Sequence, residues 1–282
     1  MNDSLSNMLR KLRLSGLAET LEVRLYEAGG NSLTHAEFLE LILQDEMLIR
    51  QQRQIARRVK SATFRDLKSL EEFDWSFNPS AKKSLFYELA TGHFLAEHRD
   101  VLLCGPPGTG KSHLVQAIGY HLIKLGYVVR YRSIFDVVRD FLHDEAMDGH
   151  ERIMEGYLKP DLLIIDDFGM KQLPKRSGEY LFEIVMRRHE TRSTMMTTNR
   201  PIEDWGKLLG DVPTASAILD RFLHHSEVIT ITGKSYRLRS RVESAKPAKA
   251  PPGSEKVEKA PKPAKAPPGS NADQEDENTV ND

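Results

Sequence analysis

Val101-Leu102-Leu103-Cys104-Gly105-Pro106-Pro107-Gly108-Thr109-Gly110-Lys111-Ser112 decides how the rest of the chain is read. Its apolar start predicts a short buried strand, Gly and Pro break that strand into a loop, and the pattern from His113 to Leu125 predicts a helix. Strand, glycine loop and helix in that order make a phosphate-binding loop. The glycines let successive backbone N–H groups turn toward one anion, and the helix adds the positive end of its dipole. Lys111 reaches the β- and γ-phosphates as a point charge, and the Ser112 hydroxyl suits a Mg²⁺ ion that keeps most of its waters. The candidate nucleotide contacts are therefore Gly105, Pro106, Pro107, Gly108, Thr109, Gly110, Lys111, Ser112 and His113.

Working outward on the C-terminal side, strands and helices alternate from Val101 to Gly233, which predicts a parallel sheet with helices on both faces. A strand is expected at Tyr127–Tyr131, a helix from Ile134 to about Met147, and a charged segment up to Lys159. Leu162-Leu163-Ile164-Ile165-Asp166-Asp167-Phe168 then describes a central strand whose two carboxylates emerge at the sheet's carboxyl edge, where such folds bind ligands. Asp166 is placed to hold Mg²⁺ with Ser112, and Asp167 to orient or deprotonate an attacking water. After a helix at Glu179–His189, Ser193 to Asn199 reads as a strand that carries Asn199 toward the terminal phosphate. A helix at Ala215–His225 and a strand at Val228–Ile231 complete the alternation.

On the N-terminal side, residues 1 to about 75 read as all-helical. Leu5, Met8, Leu9, Leu12, Leu17 and Leu21 recur at helical spacing, and Gly29-Gly30 marks the turn that ends the run. Thr34 and Glu37 are spaced as a capping box for a second, longer helix. Its charge changes sign along its length: residues 34–49 carry acids, whereas Arg50, Arg53, Arg57, Arg58, Lys60, Arg65 and Lys68 face one acid, Asp66. Two readings stay open for those cations, a duplex-DNA contact that releases counterions or a solvated face paired elsewhere. Asn78-Pro79 reads as a helix start, the domain boundary falls near Ser76, and Trp75 is a packing anchor. His93 and His98 lack a third ligand type nearby and are read as surface histidines.

Composition sets the outer limits. With 282 residues and a formal charge of −1, bulk charge predicts no polyanion partner, so any nucleic-acid surface must arise by clustering. The single cysteine, Cys104, excludes an internal disulfide and fits a reducing compartment. No signal-peptide core and no membrane-length apolar span are evident, so a cytoplasmic protein without membrane contact is expected. From residue 244 the composition shifts to Pro, Ala and Lys, with Lys-Pro-Ala-Lys-Ala-Pro-Pro-Gly-Ser at 246–254 and again at 262–270, and then to an acidic end. Such a segment is expected to be a disordered tail.

Taken together, Gly105–Ser112, Asp166-Asp167, the Thr-Thr-Asn ending at Asn199, and Leu219-Asp220-Arg221-Phe222-Leu223-His224-His225 ahead of a final strand resemble the AAA+ ATPases of the IstB family. These are helpers of two-gene bacterial insertion sequences, similar to the helicase loader DnaC and the ATPase domain of DnaA. The resemblance covers roughly residues 1–240. It implies an α/β P-loop NTPase core with a five-stranded parallel sheet in the order 5-1-4-3-2, Walker A and B groups at the positions above, and Asn199 as sensor 1. It also implies Arg221 as an arginine finger reaching a neighbouring subunit, although the residue by itself also fits a surface ion pair or a phosphate contact. The helical lid usual after the fifth strand is expected to be absent, leaving Arg237 as a nucleotide contact or Lys234, Arg237, Arg239 and Arg241 together as a basic patch for DNA phosphates. The expected organisation is a helical DNA- or partner-binding domain (1–75), an ATPase domain (76–243) and the tail (244–282). ATP and Mg²⁺ are the implied cofactors; duplex DNA, a cognate transposase and further copies of the chain are the implied partners. A DnaC-like helicase loader is the alternative, which duplex-DNA contact at 50–68 would disfavour.

Overall fold

Leu102 and Leu163 are fully buried, as are Val101, Leu103 and Ile164, so both faces of the central strands are covered, as their unbroken aliphatic sequences require. The computed structural model describes residues 3–144, 149–174 and 177–239. Helices α1 Asp3–Lys11, α2 Ser15–Asn31 and α3 His35–Ala62 come first, followed by α4 Lys83–Ala90 and α5 His93–Ala96. Then follow β1 Asp100–Cys104, α6 Lys111–Lys124, β2 Val129–Ser133, α7 Ile134–Asp144, α8 His150–Leu158, β3 Leu162–Phe168, α9 Ser177–Arg188, β4 Ser193–Thr198, α10 Trp205–Leu209, α11 Val212–His224 and β5 Ser226–Thr230. All strand pairings are parallel, in the order β2-β3-β4-β1-β5, which is the expected 5-1-4-3-2 read from the other edge.

Alternate residues along each strand feed two cores. On one face Val101, Leu103, Ile164 and Met195 pack with Leu114, Ile118 and Leu122 of α6 and with Phe86 and Leu89 of α4. On the other, Leu102, Leu163, Ile165 and Met196 pack with Val137, Phe141, Leu181, Ile184, Ile218 and Phe222 from α7, α9 and α11. The N-terminal helices bury a small separate cluster of Leu9, Leu17, Leu21 and Ile42. Farther along α3 the side chains change allegiance: Ile55, Val59 and Ala62, then Leu70 and Trp75, pack with the α6-side core of the sheet. Trp75 is thus an anchor, its indole donating to Leu70 O at 3.2 Å. His93 and His98 are exposed.

Several elements differ from their sequence expectations. The first helical run breaks at Arg13, which adopts φ 56°, while Gly29 and Gly30 stay inside α2. That helix instead ends at Asn31 with Ser32 in the left-handed conformation. Thr34 does cap α3 with a complete capping box. Asn78-Pro79 forms a turn, not a helix start, because the Asn78 side chain is buried and donates to Thr109 O and Lys234 O, leaving α4 to begin at Lys83. β2 lies two residues later than expected, and the charged segment before Lys159 is helix α8, whose buried Met154 and Tyr157 supply its apolar face. α10 was not anticipated; its Trp205 is fully buried against Phe168, ring centroids 4.1 Å apart. After β5 the described residues include a short 3-10 turn, Tyr236–Leu238. The expected end of α7 at Met147, Arg241 and the repeat-bearing tail lie outside the described residues.

Candidate functional site

A cavity of about 380 Å³ opens over the loop between β1 and α6. The loop takes the left-handed region at Gly108 (φ 82°) and Gly110 (φ 98°). A Cβ at Gly108 would overlap Ser235, and one at Gly110 would lie 2.5 Å from the Phe73 ring. Both glycines therefore permit conformation and close cover at once. Lys111 Nζ donates to Gly105 O at 2.7 Å and Pro106 O at 2.9 Å, the loop's own carbonyls. Burial holds its ammonium below the ordinary lysine range, against the opposing attraction of Asp166 and Asp167.

Asp166 is fully buried at the end of β3 and is saturated with donors. Ser112 Oγ donates to its Oδ1 at 3.1 Å, Thr197 donates to the same oxygen, and Tyr131 Oη donates to Oδ2 at 2.6 Å. Burial, then the Asp166 charge, pushes the Tyr131 phenol up, keeping it a donor. Ser112 and Asp166 present adjacent hard oxygens, the donor chemistry that Mg²⁺ takes, so the residues fit that ion. Asp167 comes one residue later but in a different conformation. The β3–β4 register slips between Ile165 and Phe168, Asp167 adopts φ 64°, and its N–H is satisfied by Thr197 Oγ1 at 3.1 Å. This local strain turns Asp167 out of the ladder and into the cavity, where Arg65 meets its Oδ2 at 3.0 Å.

Asn199 also lines the cavity, and its Oδ1 is buried without a hydrogen-bond partner. An orphaned acceptor on such a wall is the kind of group a bound ligand or water satisfies. Phe73, Phe77, Asn78 and Tyr236, none of them a site residue in the sequence reading, add to the wall, with Phe77 and Tyr236 edge to face at 5.0 Å. Arg237 lines the cavity as well, while Arg239 pairs with Asp74 at 2.9 Å. His113, at the start of α6, is held by Ser69 O at 2.9 Å and by the Phe73 ring. Of the missed groups, Thr197 had a sequence signal, its place in the Thr-Thr-Asn strand end. Tyr131 and the aromatic wall had none, because they come from a neighbouring strand and two distant loops.

Arg221 lies elsewhere, exposed on α11, with Asp220 Oδ2 at 3.7 Å. The cations of α3 divide. Arg50, Arg53 and Arg57 line a shallow depression with Arg13, although Arg50 pairs with Glu46 at 2.6 Å and Arg53 with Glu19. Arg58 is spent on Gly126 O, Lys60 is exposed, and Lys68 lines the cavity over the β1–α6 loop beside Arg65. Cys104 is half-buried in β1, and burial pushes its thiol up. Among the described residues no helix is long and apolar enough to cross a membrane.

The sequence profile described as "IstB-like ATP binding protein" matches residues 7–244. The chain is 32% identical over 241 residues to a Geobacillus stearothermophilus protein of insertion sequence IS5376 named as ATP-binding, covering 86% of this chain and 96% of that one. It is 33% identical over 234 residues to the corresponding IS21 protein of Pseudomonas aeruginosa, covering 83% and 88%. Among solved structures, it resembles the DnaC helicase loader (TM-score 0.50, 22% identity, 58% of this chain and 96% of that one). It also resembles AMPPCP-bound DnaA from Aquifex aeolicus (TM-score 0.51, 21% identity, 65% and 57%). Those two likenesses are of fold.

Proposed function

We propose a function from the premise that this chain belongs to the IstB-like ATP binding protein family: it binds and hydrolyses ATP to control its own assembly on duplex DNA, where it serves a partner transposase. The observation that carries the reading is the convergence of Lys111, the Ser112–Asp166 pair, Asp167 and the orphaned Asn199 Oδ1 on one cavity.

Each group has a task that follows from its surroundings. The loop N–H groups and the α6 N-terminus take the phosphates. Lys111, held now by two carbonyls, exchanges them for phosphate oxygens, which are better partners for a buried ammonium. A Mg²⁺ ion held by Ser112 and Asp166 would neutralise charge on the terminal phosphates. Asp167 accepts from the attacking water, and Asn199 hydrogen-bonds the same water or the γ-phosphate. Phe73, Phe77 and Tyr236 supply an apolar wall for the base. Arg221 is outside this cavity, so its guanidinium serves a neighbouring copy, where charge spread over the transferring phosphoryl group is stabilised in trans. Hydrolysis thereby depends on assembly. The helical unit, 1–75, offers Arg50, Arg53, Arg57 and Lys60 to DNA phosphates, and 76–243 carries the chemistry.

The test is a pair of substitutions. Lys111→Ala abolishes binding of a non-hydrolysable ATP analogue and nucleotide-dependent assembly on duplex DNA, whereas Asp167→Asn keeps both and loses phosphate release. Wild-type hydrolysis in either variant would refute the assignment.

A further inference from the structure

A second cluster of ligating side chains lies far from the nucleotide loop. Helix α9 ends at Arg188, and the chain turns through His189 and Glu190, the latter at φ 58°, before entering β4. Helix α11 ends at His224, and His225 leads directly into β5. Because β4 and β5 flank β1 in the same direction, their entries lie together at the amino edge of the sheet. The phosphate loop leaves from the carboxyl edge, and the six residues of β4 put the two edges about 20 Å apart.

One ligating atom each from His189, Glu190 and His224 lies within 4.8 Å of the others. His189 Nε2 is 3.6 Å from Glu190 Oε1, and His225 Nε2 is 3.1 Å from the same oxygen. The His224 and His225 rings stand edge to face at 4.3 Å. A tetrahedral centre with metal–nitrogen bonds of about 2.0 Å needs donor-to-donor edges of roughly 3.3 Å. The spacings of Glu190 to His189 and to His225 are already close to this, and the exposed His224, within 4.8 Å of His189 and Glu190, has only a short way to close by side-chain rotation. Imidazoles with one carboxylate favour a borderline cation over Mg²⁺ or Ca²⁺, which prefer all-oxygen shells. Ion pairing alone gives Glu190 two imidazole neighbours but gives His224 no reason to join them.

We propose that His189, Glu190 and His224, with His225 in reach as a fourth ligand, form a binding site for a zinc-class transition metal. The ion ties the end of α9 to the α11–β5 junction. It thereby fixes the last turn of α11, which begins at Arg221 and exposes that guanidinium on the surface.

The experiment uses the full chain without an affinity tag, stripped with chelator and titrated with Co²⁺. One equivalent of cobalt is expected to produce the intense visible absorption of a four-coordinate centre, displaced by Zn²⁺ and unaffected by excess Mg²⁺ with ATP. His224→Ala and Glu190→Gln, both at exposed positions, are each expected to weaken cobalt binding at least tenfold while leaving the affinity for a non-hydrolysable ATP analogue unchanged. Absence of that absorption in the parent protein, its loss on adding Mg²⁺, or parental cobalt affinity in both variants overturns the proposal.

Discussion

Removing the Arg65 guanidinium tests how the linker after α3 acts on the proposed hydrolytic acid. Arg65 meets Asp167 Oδ2 at 3.0 Å, with 52% of the arginine side chain and 19% of the aspartate side chain exposed. An ion pair that solvated contributes about 0.5–1 kcal/mol after screening, so the paired arrangement is favoured over the open one by roughly two- to fivefold. A carboxylate occupied by Arg65 is not accepting from water. Arg65→Ala is therefore expected to raise DNA-free phosphate release at saturating ATP by about three- to sixfold, the population gain of the open form. The analogue affinity should stay within about twofold of the parent, since phosphate binding is proposed to rest on Lys111 and the loop N–H groups. In the Asp167→Asn background the same change should have no effect. Slower or unchanged turnover in Arg65→Ala, or loss of analogue binding, refutes the reasoning and makes Arg65 a phosphate ligand or a bystander.

Three further outcomes follow from the geometry. Tyr131→Phe removes the 2.6 Å donor to fully buried Asp166; a hydrogen bond to a charged group is worth about 1.5–3 kcal/mol, so the melting temperature should fall by roughly 3–10 °C, and an unchanged melting curve would count against that bond. Asp100, pushed up to about 7 by burial, holds its proton more tightly folded than unfolded. Its contribution is complete below its ordinary value near 4 and is lost as pH rises through about 7. Asp100→Asn, which keeps an acceptor for the Thr194 N–H, should accordingly flatten the decline in stability between pH 5 and pH 8, and parallel denaturation profiles would exclude the effect. Arg57→Ala should lower the slope of log affinity against log salt for duplex DNA by about 0.9, the release of one phosphate contact, and an unaltered slope removes Arg57 from the DNA surface.

The glycine loop and the β3 carboxylates were legible because each rests on local chemistry, whereas the strand order followed only from the family resemblance. Glycine at 108 and 110 is demanded by backbone conformation, and four aliphatics ahead of Asp166-Asp167 describe a buried strand with a polar end. The capping box at Thr34 was legible for the same reason, since both partners lie within one turn. Helix α8 was missed because its buried face is only Met154 and Tyr157 among charged neighbours, too sparse a periodicity to outweigh the polar residues.

Sequence alone therefore determined the kind of fold and named the candidate phosphate and metal groups, because both readings depend on residue type at short spacing. Tertiary structure decided what surrounds them. Tyr131 reaches Asp166 from the adjacent strand, Phe73 and Tyr236 close over the loop from opposite ends of the chain, and Arg65 meets Asp167 across 102 positions. The same holds at the far edge of the sheet, where His189 and His224 converge only because β4 and β5 both lie beside β1. Contacts of that range follow from strand order and loop paths, which no local pattern of residues encodes.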